Sequence, residues 1–235
     1  MKPPVIDAEA LAEFLDKAQS FVSPQDYLHW NHMLEQRAQG IRWALHDEAG
    51  CRQVVPATAR IRPEQHPIWN QIHSSILRDV EQQPSRVVEI LAQNEAPPWM
   101  WEWGTFWLAH LHPENYVWWT RWMYRSDTQT GAVALIVTDP SCLNEEPSVL
   151  YLRIVQASRF TEQVLDGWHR LSAVNPSFRH LVALSITYAV YLYTMTSWRF
   201  TKEFTQVLPS FPQVVSRLLG IPRWEGYIVA KSQSH

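Results

Sequence analysis

Glycine is the first shortage. Seven glycines in 235 residues leave little for the turns that cradle phosphates, and neither a Walker A nor a G-x-G-x-x-G spacing occurs. There is no G-x-S-x-G elbow, and no spacing links a Ser to a His as nucleophile and base. Cysteine is scarcer still. Cys51 and Cys142 stand alone, with neither a disulfide framework nor a Cys-based zinc spacing. Charge is low, at 18% of residues against 46% hydrophobic, which excludes a disordered chain and provides for a core. A global cation excess is also missing: the formal net charge is −3. The N-terminal M-K-P-P-V-I-D-A-E lacks the apolar centre of a signal peptide, so a cytoplasmic location is expected.

Long apolar runs are nearly absent. The one to weigh is Leu181 to Trp198, 18 residues without a charge. Its Ser, Thr and Tyr content fits a helix buried inside a bundle better than a membrane span.

Proline is abundant, with 16 residues, and it punctuates helices. The pattern predicts a helix from Asp7 to Gln19 with Asp7 as N-cap, and a second opened by Ser23-Pro24-Gln25-Asp26 that runs to about Gln39 with Gly40 at its end, with a further turn or two open to Ile41 to His46 before Gly50. Cys51 to His66 reads as an extended loop with at most one short strand. Helices follow from Pro67, from Ser85 to Gln93 and from Trp99 to Leu111. Pro113 is expected to open another helix, carrying Trp118, Trp119 and Trp122. Ala132 to Val137 is a short apolar run, and a long helix is expected from Ser148 to Ala173. Asn175-Pro176-Ser177 caps the buried helix, expected to run to Val207, and a short helix from Gln213 to Leu219 ends at Gly220. The tail beyond Ile221 reads as weakly structured, with Trp224, Tyr227 and Ile228 docking. The fold class is mostly α: an irregular multi-helix bundle around a buried helix, with at most one or two short strands. It is read as one domain over 1–235, with a sub-boundary at Ala96-Pro97-Pro98.

The densest feature is aromatic. Trp99 to Trp122 holds seven of the thirteen tryptophans, and such rings form either the middle of a core or an exposed aromatic surface. Trp118, Trp119, Trp122 and Tyr124 are interleaved with Arg121 and Arg125, as in proteins that stack bases of single-stranded nucleic acid. Cations gather further along. Residues 153–223 carry 8 Lys/Arg against 3 Asp/Glu, among them Arg153, Arg159, Arg170 and Arg179, a segment suited to phosphate. The competing reading makes most of the rings core and the cations a solvated face.

Other chemistry is sparse. His29-x-x-His32-x-x-Glu35 lines one helix face but lacks the H-E-x-x-H pattern, and His110 and His112 straddle a helix end and diverge, so no metal site is assigned. His112 is expected to cap and His110 to pack between aromatics. Asp47-Glu48 and Glu145-Glu146 read as solvated acids. Glu102 lies among Trp99, Trp101, Trp103 and Trp107, where desolvation favours an acid–base role with a nearby His.

The run Trp103 to Tyr124 resembles the segment L-H-F-x-N-P-E-x-Y-P-hydrophobic-W-D-x-R of bacterial helical domains related to helix-hairpin-helix DNA glycosylases. Similar segments occur in helical domains of modification-dependent restriction systems. Leu108, His110, Pro113, Glu114, Tyr116, Trp119 and Arg121 carry the match. Thr120 stands where the pattern has Asp, and no Lys lies in the stretch to serve as a glycosylase nucleophile. The resemblance therefore implies a nucleic-acid-associated helical domain without glycosylase activity.

The expected function is a non-catalytic nucleic-acid-associated subunit of a larger complex, in defence or nucleic-acid processing, with no cofactor. Trp118, Trp119, Arg121, Trp122 and Arg125, helped by Arg153, Arg159, Arg170 and Arg179, are the expected contacts. The alternatives are a protein–protein interaction subunit with exposed Trp anchors, or an acid–base enzyme using Glu102.

Overall fold

Proline sets where most of the helices begin. The computed structural model describes residues 3–59, 62–169, 171–199 and 209–233. Its α-helices are, in order, α1 (Ala8–Ala18), α2 (Pro24–Leu45), α3 (Glu48–Gln53), α4 (Pro56–Ala59), α5 (Pro67–Asp79), α6 (Pro84–Gln93), α7 (Pro98–Leu111), α8 (Pro147–Gly167), α9 (Pro176–Arg199), α10 (Phe211–Leu218) and α11 (Ile221–Ser232). Seven of these, α2 and α4 to α9, have proline as their first residue. The ring presets a helical φ, and its missing N–H belongs to the first turn, where it would have no intrahelical acceptor. Side chains complete other starts. Asp7 Oδ1 accepts from Ala10 N at 2.9 Å, Asp26 Oδ2 from Ser23 N at 2.7 Å, and Asn175 Oδ1 from Ser177 N at 3.1 Å.

The fold is mostly α, and no strand occurs among the described residues. Two isolated antiparallel bridges join Ile6 to Val137 and Arg125 to Thr130. No described helix is long and apolar enough to cross a membrane.

The chain divides into two compact units. The first comprises Met1–Met33, Trp122–Asn144 and Gln156–Leu219; the second comprises Leu34–Arg121, Glu145–Val155 and Gly220–His235. The division passes through α2 and α8. Ala96-Pro97-Pro98 lies inside the second unit rather than at its edge.

The first unit is built on α9, the expected buried helix. Eleven of the thirteen residues from Phe178 to Val190 are buried, and α1 and α10 pack on it. Its polar residues are accommodated locally, as where Ser185 Oγ donates to Val182 O at 2.8 Å. The expected extension to Val207 falls partly outside the described residues. Trp30 Nε1 donates to Ser216 Oγ at 2.9 Å, tying the start of α2 to α10.

The second unit is built on α7, which is buried on all sides: Met100 to Leu108 and His110 are inaccessible. Helices α4 and α6 pack against it. Gly104 permits that approach, since a Cβ there would lie 3.0 Å from Leu91 Cδ1.

Five expectations change. Helix α2 does not end at Gly40 but runs unbroken to Leu45, taking in the turns left open beyond it; Gly40 is a contact point, where a Cβ would meet Trp224 Cζ2 at 2.8 Å. The described part of Cys51 to His66 folds as the end of α3, α4 and a 3-10 turn at Pro63–Gln65; Thr58 Oγ1 donates to Arg52 O at 3.0 Å and ties α4 back to α3. No helix follows Pro113; residues 113–131 run as turns and extended chain. Helix α8 stops at Gly167, and the connection after it takes left-handed φ values of 51° at His169 and 56° at Leu171. The tail forms α11, entered through Gly220 at φ 71°, with Trp224 and Tyr227 buried as its docking residues.

Candidate functional site

The Trp-rich stretch is the core of the second unit. Trp118 is 1% exposed and Trp119 8%. The extended chain that carries them is fastened to α7: Trp118 Nε1 donates to Glu102 O at 3.1 Å, and Trp119 N donates to Thr105 Oγ1 at 3.1 Å. Tyr151 donates its hydroxyl to Val117 O at 3.0 Å and stacks on Trp119. Trp103 Nε1 reaches Cys51 O at 2.9 Å. These bonds override the helical pattern after Pro113, because a buried indole N–H or backbone amide needs a partner. Trp118 and Trp119 thus present no open face to a base, which corrects their assignment as stacking residues.

Under these rings lies a pair that sequence spacing does not reveal. Arg37 Nε donates to His110 Nε2 at 2.9 Å, with the Arg37 guanidinium carbon 5.5 Å from the Phe106 ring centroid and 5.4 Å from that of Trp118. The other ring nitrogen of His110, Nδ1, donates to Phe106 O at 2.7 Å. That arrangement fixes the neutral tautomer. Burial, then the neighbouring Arg37 charge, holds His110 well below its ordinary pKa. Burial also lowers Arg37 to about 9. Two aromatic faces offset part of that desolvation.

His110 packs between Phe106 and Trp118, as expected. With both ring nitrogens engaged, it is not the base that the Glu102 reading required. Glu102 itself is buried. His112 is the C-cap residue of α7, and its Nε2 donates to Val80 O at 2.8 Å. Among the described residues no group of three or more His, Cys, Asp or Glu is placed to hold a metal ion.

The remaining expected contacts are dispersed. In the second unit Arg121 is exposed and Arg153 is buried. In the first unit Trp122 is half-buried, donating Nε1 to Leu218 O at 2.9 Å. Arg125 holds Asp127 through Nε at 3.0 Å and through Nη2, which raises its already high pKa. Arg159 Nη1 grips both oxygens of Glu162 at 2.9 and 2.8 Å, and His180 Nδ1 pairs with the same carboxylate at 2.5 Å. Burial pushes Glu162 up, but the His180 and Arg159 contacts outweigh it and hold the carboxyl below its ordinary value. Arg179 pairs with Asp166 at 2.9 Å. Arg170 lies outside the described residues. Within 153–223, Arg159 and Arg179 are thus paired with acids, and Arg153 is buried.

Several large apolar side chains also face water. In the second unit the Trp43 ring is 52% exposed. It is held edge-on to Tyr227 at 6.1 Å, with Lys231 Nζ 5.2 Å from its centroid. Asp47 fixes both neighbours, accepting from the Tyr227 hydroxyl and from Lys231 Nζ at 2.9 Å each. The Lys231 bond, with burial opposing it, keeps Asp47 below its ordinary pKa. In the first unit Phe21, Leu28, Phe160 and Trp168 are exposed. Sequence periodicity gives no hint that Trp43 is exposed, because Ile41, Ala44 and Leu45 around it are apolar and buried.

No family model, no curated protein and no solved structure matches the chain.

Proposed function

We propose that the protein is a non-catalytic interaction subunit whose partner is another protein, with Trp43 as an anchor residue. One observation carries this reading: a large ring stands half exposed yet is held in place by Tyr227 and Lys231, which Asp47 fixes in turn. A pre-positioned Trp loses little conformational freedom on docking and is the residue type most often found at the energetic centre of an interface. The matched cations of the first unit support a protein partner over a phosphate backbone.

The test is partner binding by wild type and Trp43→Ala, with partners recovered by cross-linking and complexes measured by analytical ultracentrifugation. The expected result is at least about a tenfold loss of affinity with little change in thermal stability, because the ring is only partly buried. Unchanged affinity overturns the reading.

A second reading keeps nucleic acid as the partner, within a cytoplasmic complex of nucleic-acid processing or defence. The exposed Arg121 and the resemblance around it favour this. Single- and double-stranded DNA and RNA are titrated at several salt concentrations. On this reading binding weakens steeply with salt, and Arg121→Ala with Arg125→Ala reduces that dependence. Binding that is the same in the double variant ends it.

A further inference from the structure

The first unit carries a cleft of about 340 Å³, at the lower end of the size of small-molecule sites. One side comes from the end of α1 and the start of α2, through Leu15, Val22, Pro24 and the Tyr27 ring; the other is the short connection beginning at Leu171.

That second wall is built under constraint. His169 and Leu171 take left-handed φ values, a region disfavoured for residues with a Cβ and retained only where surrounding contacts over-determine it. The contacts are present. Val174 N donates to Leu171 O at 2.8 Å, Asn175 N donates to Asn31 Oδ1 at 2.7 Å, and Arg179 Nε donates to Val174 O at 3.1 Å. The wall is thus pinned at its base to both α2 and α9. A cleft with fixed walls stays open, which is the condition for a pre-formed site.

The lining selects by charge. None of its described residues carries a full charge, and the carboxylate next to it, Asp16, is held by the lining Gln19 at 3.1 Å, so an anionic ligand would find no counter-ion among them. Two groups can hold a polar function. Gln19 donates through Nε2 to Asp16 Oδ1 at 3.1 Å, which leaves its amide oxygen as an acceptor, and the Ser172 hydroxyl is the second polar group of the lining. We propose that this cleft binds a mainly apolar small molecule that carries no negative charge and one hydrogen-bonding group. The site is separate from Trp43 and does not depend on the interaction reading.

The test uses the full chain labelled with ¹³C at Leu and Val methyl groups. It is titrated with cyclohexanol, which has an uncharged ring and one hydroxyl, and separately with cyclohexanecarboxylate, which has the same ring and a negative charge. The expected result is saturable shifts at Leu15, Val22 and Leu171 with the alcohol, and binding at least about tenfold weaker with the carboxylate. Ala173→Trp, which fills the cleft, should abolish the shifts. Ser172→Ala, a small change at an exposed position, should weaken alcohol binding severalfold while leaving distant methyl signals in place. Shifts that do not saturate, that appear at other methyls, or that are equal for the two probes overturn the proposal. So does undiminished alcohol binding by Ser172→Ala together with Ala173→Trp.

Discussion

Acidifying the protein below about pH 6.5 should cost the second unit stability through His110 alone, at about 1.4 kcal/mol per pH unit until the folded pKa is reached. In the fold, His110 Nδ1–H is bonded to Phe106 O, and Nε2 must stay unprotonated to accept from Arg37. A proton there would place two cations in contact inside a Trp-lined core, so the folded imidazole stays neutral well below its ordinary pKa. In the unfolded chain the same group takes up a proton near about pH 6.5. Above that pH neither state binds it and the stability is fully present. Below it only the unfolded state does, and stability falls by about 1.4 kcal/mol per pH unit until the folded pKa is reached. Arg37 is a cation in both states throughout this window, since burial brings it down only to about 9, and so contributes no slope. The assay is urea denaturation at several pH values, for wild type and for His110→Gln, whose amide can donate to Phe106 O and accept from Arg37 but cannot titrate. Other acid-sensitive groups are common to both proteins, so the difference in slope isolates one proton. Equal slopes just below about pH 6.5 refute the assignment of a buried neutral imidazole.

Gly40→Ala tests why α2 runs through a glycine. The gain in helix propensity is about 1 kcal/mol, but the new methyl meets the Trp224 ring at 2.8 Å, and overpacking of that kind costs about 1–3 kcal/mol; a lowered melting temperature is expected, and a raised one contradicts the contact. Trp118→Phe removes the indole donor to Glu102 O and should destabilise by about 1–3 kcal/mol in chemical denaturation; no change would mean that the bond contributes nothing. For Glu162, whose folded pKa is lowered, the stabilisation is present above the unfolded value of about 4.3 and is lost as pH falls through the folded value. Glu162→Gln should flatten that part of the acid limb, and an unaltered limb counts against the His180–Glu162–Arg159 cluster as its source.

Local chemistry in the sequence marks where elements begin. Asp7, Ser23-Pro24 and Asn175-Pro176 each start a helix where their side chains and rings require one. Element ends are less legible, because they depend on residues distant in the chain. Gly40 resembles a stop until Trp224, in the last helix, is seen lying on it. The run after Pro113 has helical spacing, but buried donors at Trp118 and Trp119 find their acceptors on α7 and draw the segment into extended chain. The tail helix was missed because its signals, Gly220 and Pro222, flank the start of a stretch with weak periodicity. The candidate sites were least legible of all. Arg37 and His110 are 73 residues apart, and Trp43 is distinguished only by the neighbours that hold it. Of the interleaved Arg and Trp, the rings of Trp118 and Trp119 belong to a core, as the competing reading had most of them, while Arg121 stays exposed.

The burial of the indoles also governs what light reports about this protein. Of the twelve tryptophans whose side-chain burial is described, eight are buried and Trp43 and Trp168 are exposed. Emission is therefore dominated by rings in an apolar medium, several of them close enough to exchange excitation, such as Trp69 and Trp103 at 4.7 Å. A collisional quencher such as iodide samples a small fraction of the signal, drawn mainly from those two surface rings. Quenching of the bulk emission by an added ligand would report a disturbance of the core, whereas loss of only the iodide-accessible fraction would mark a partner covering the surface.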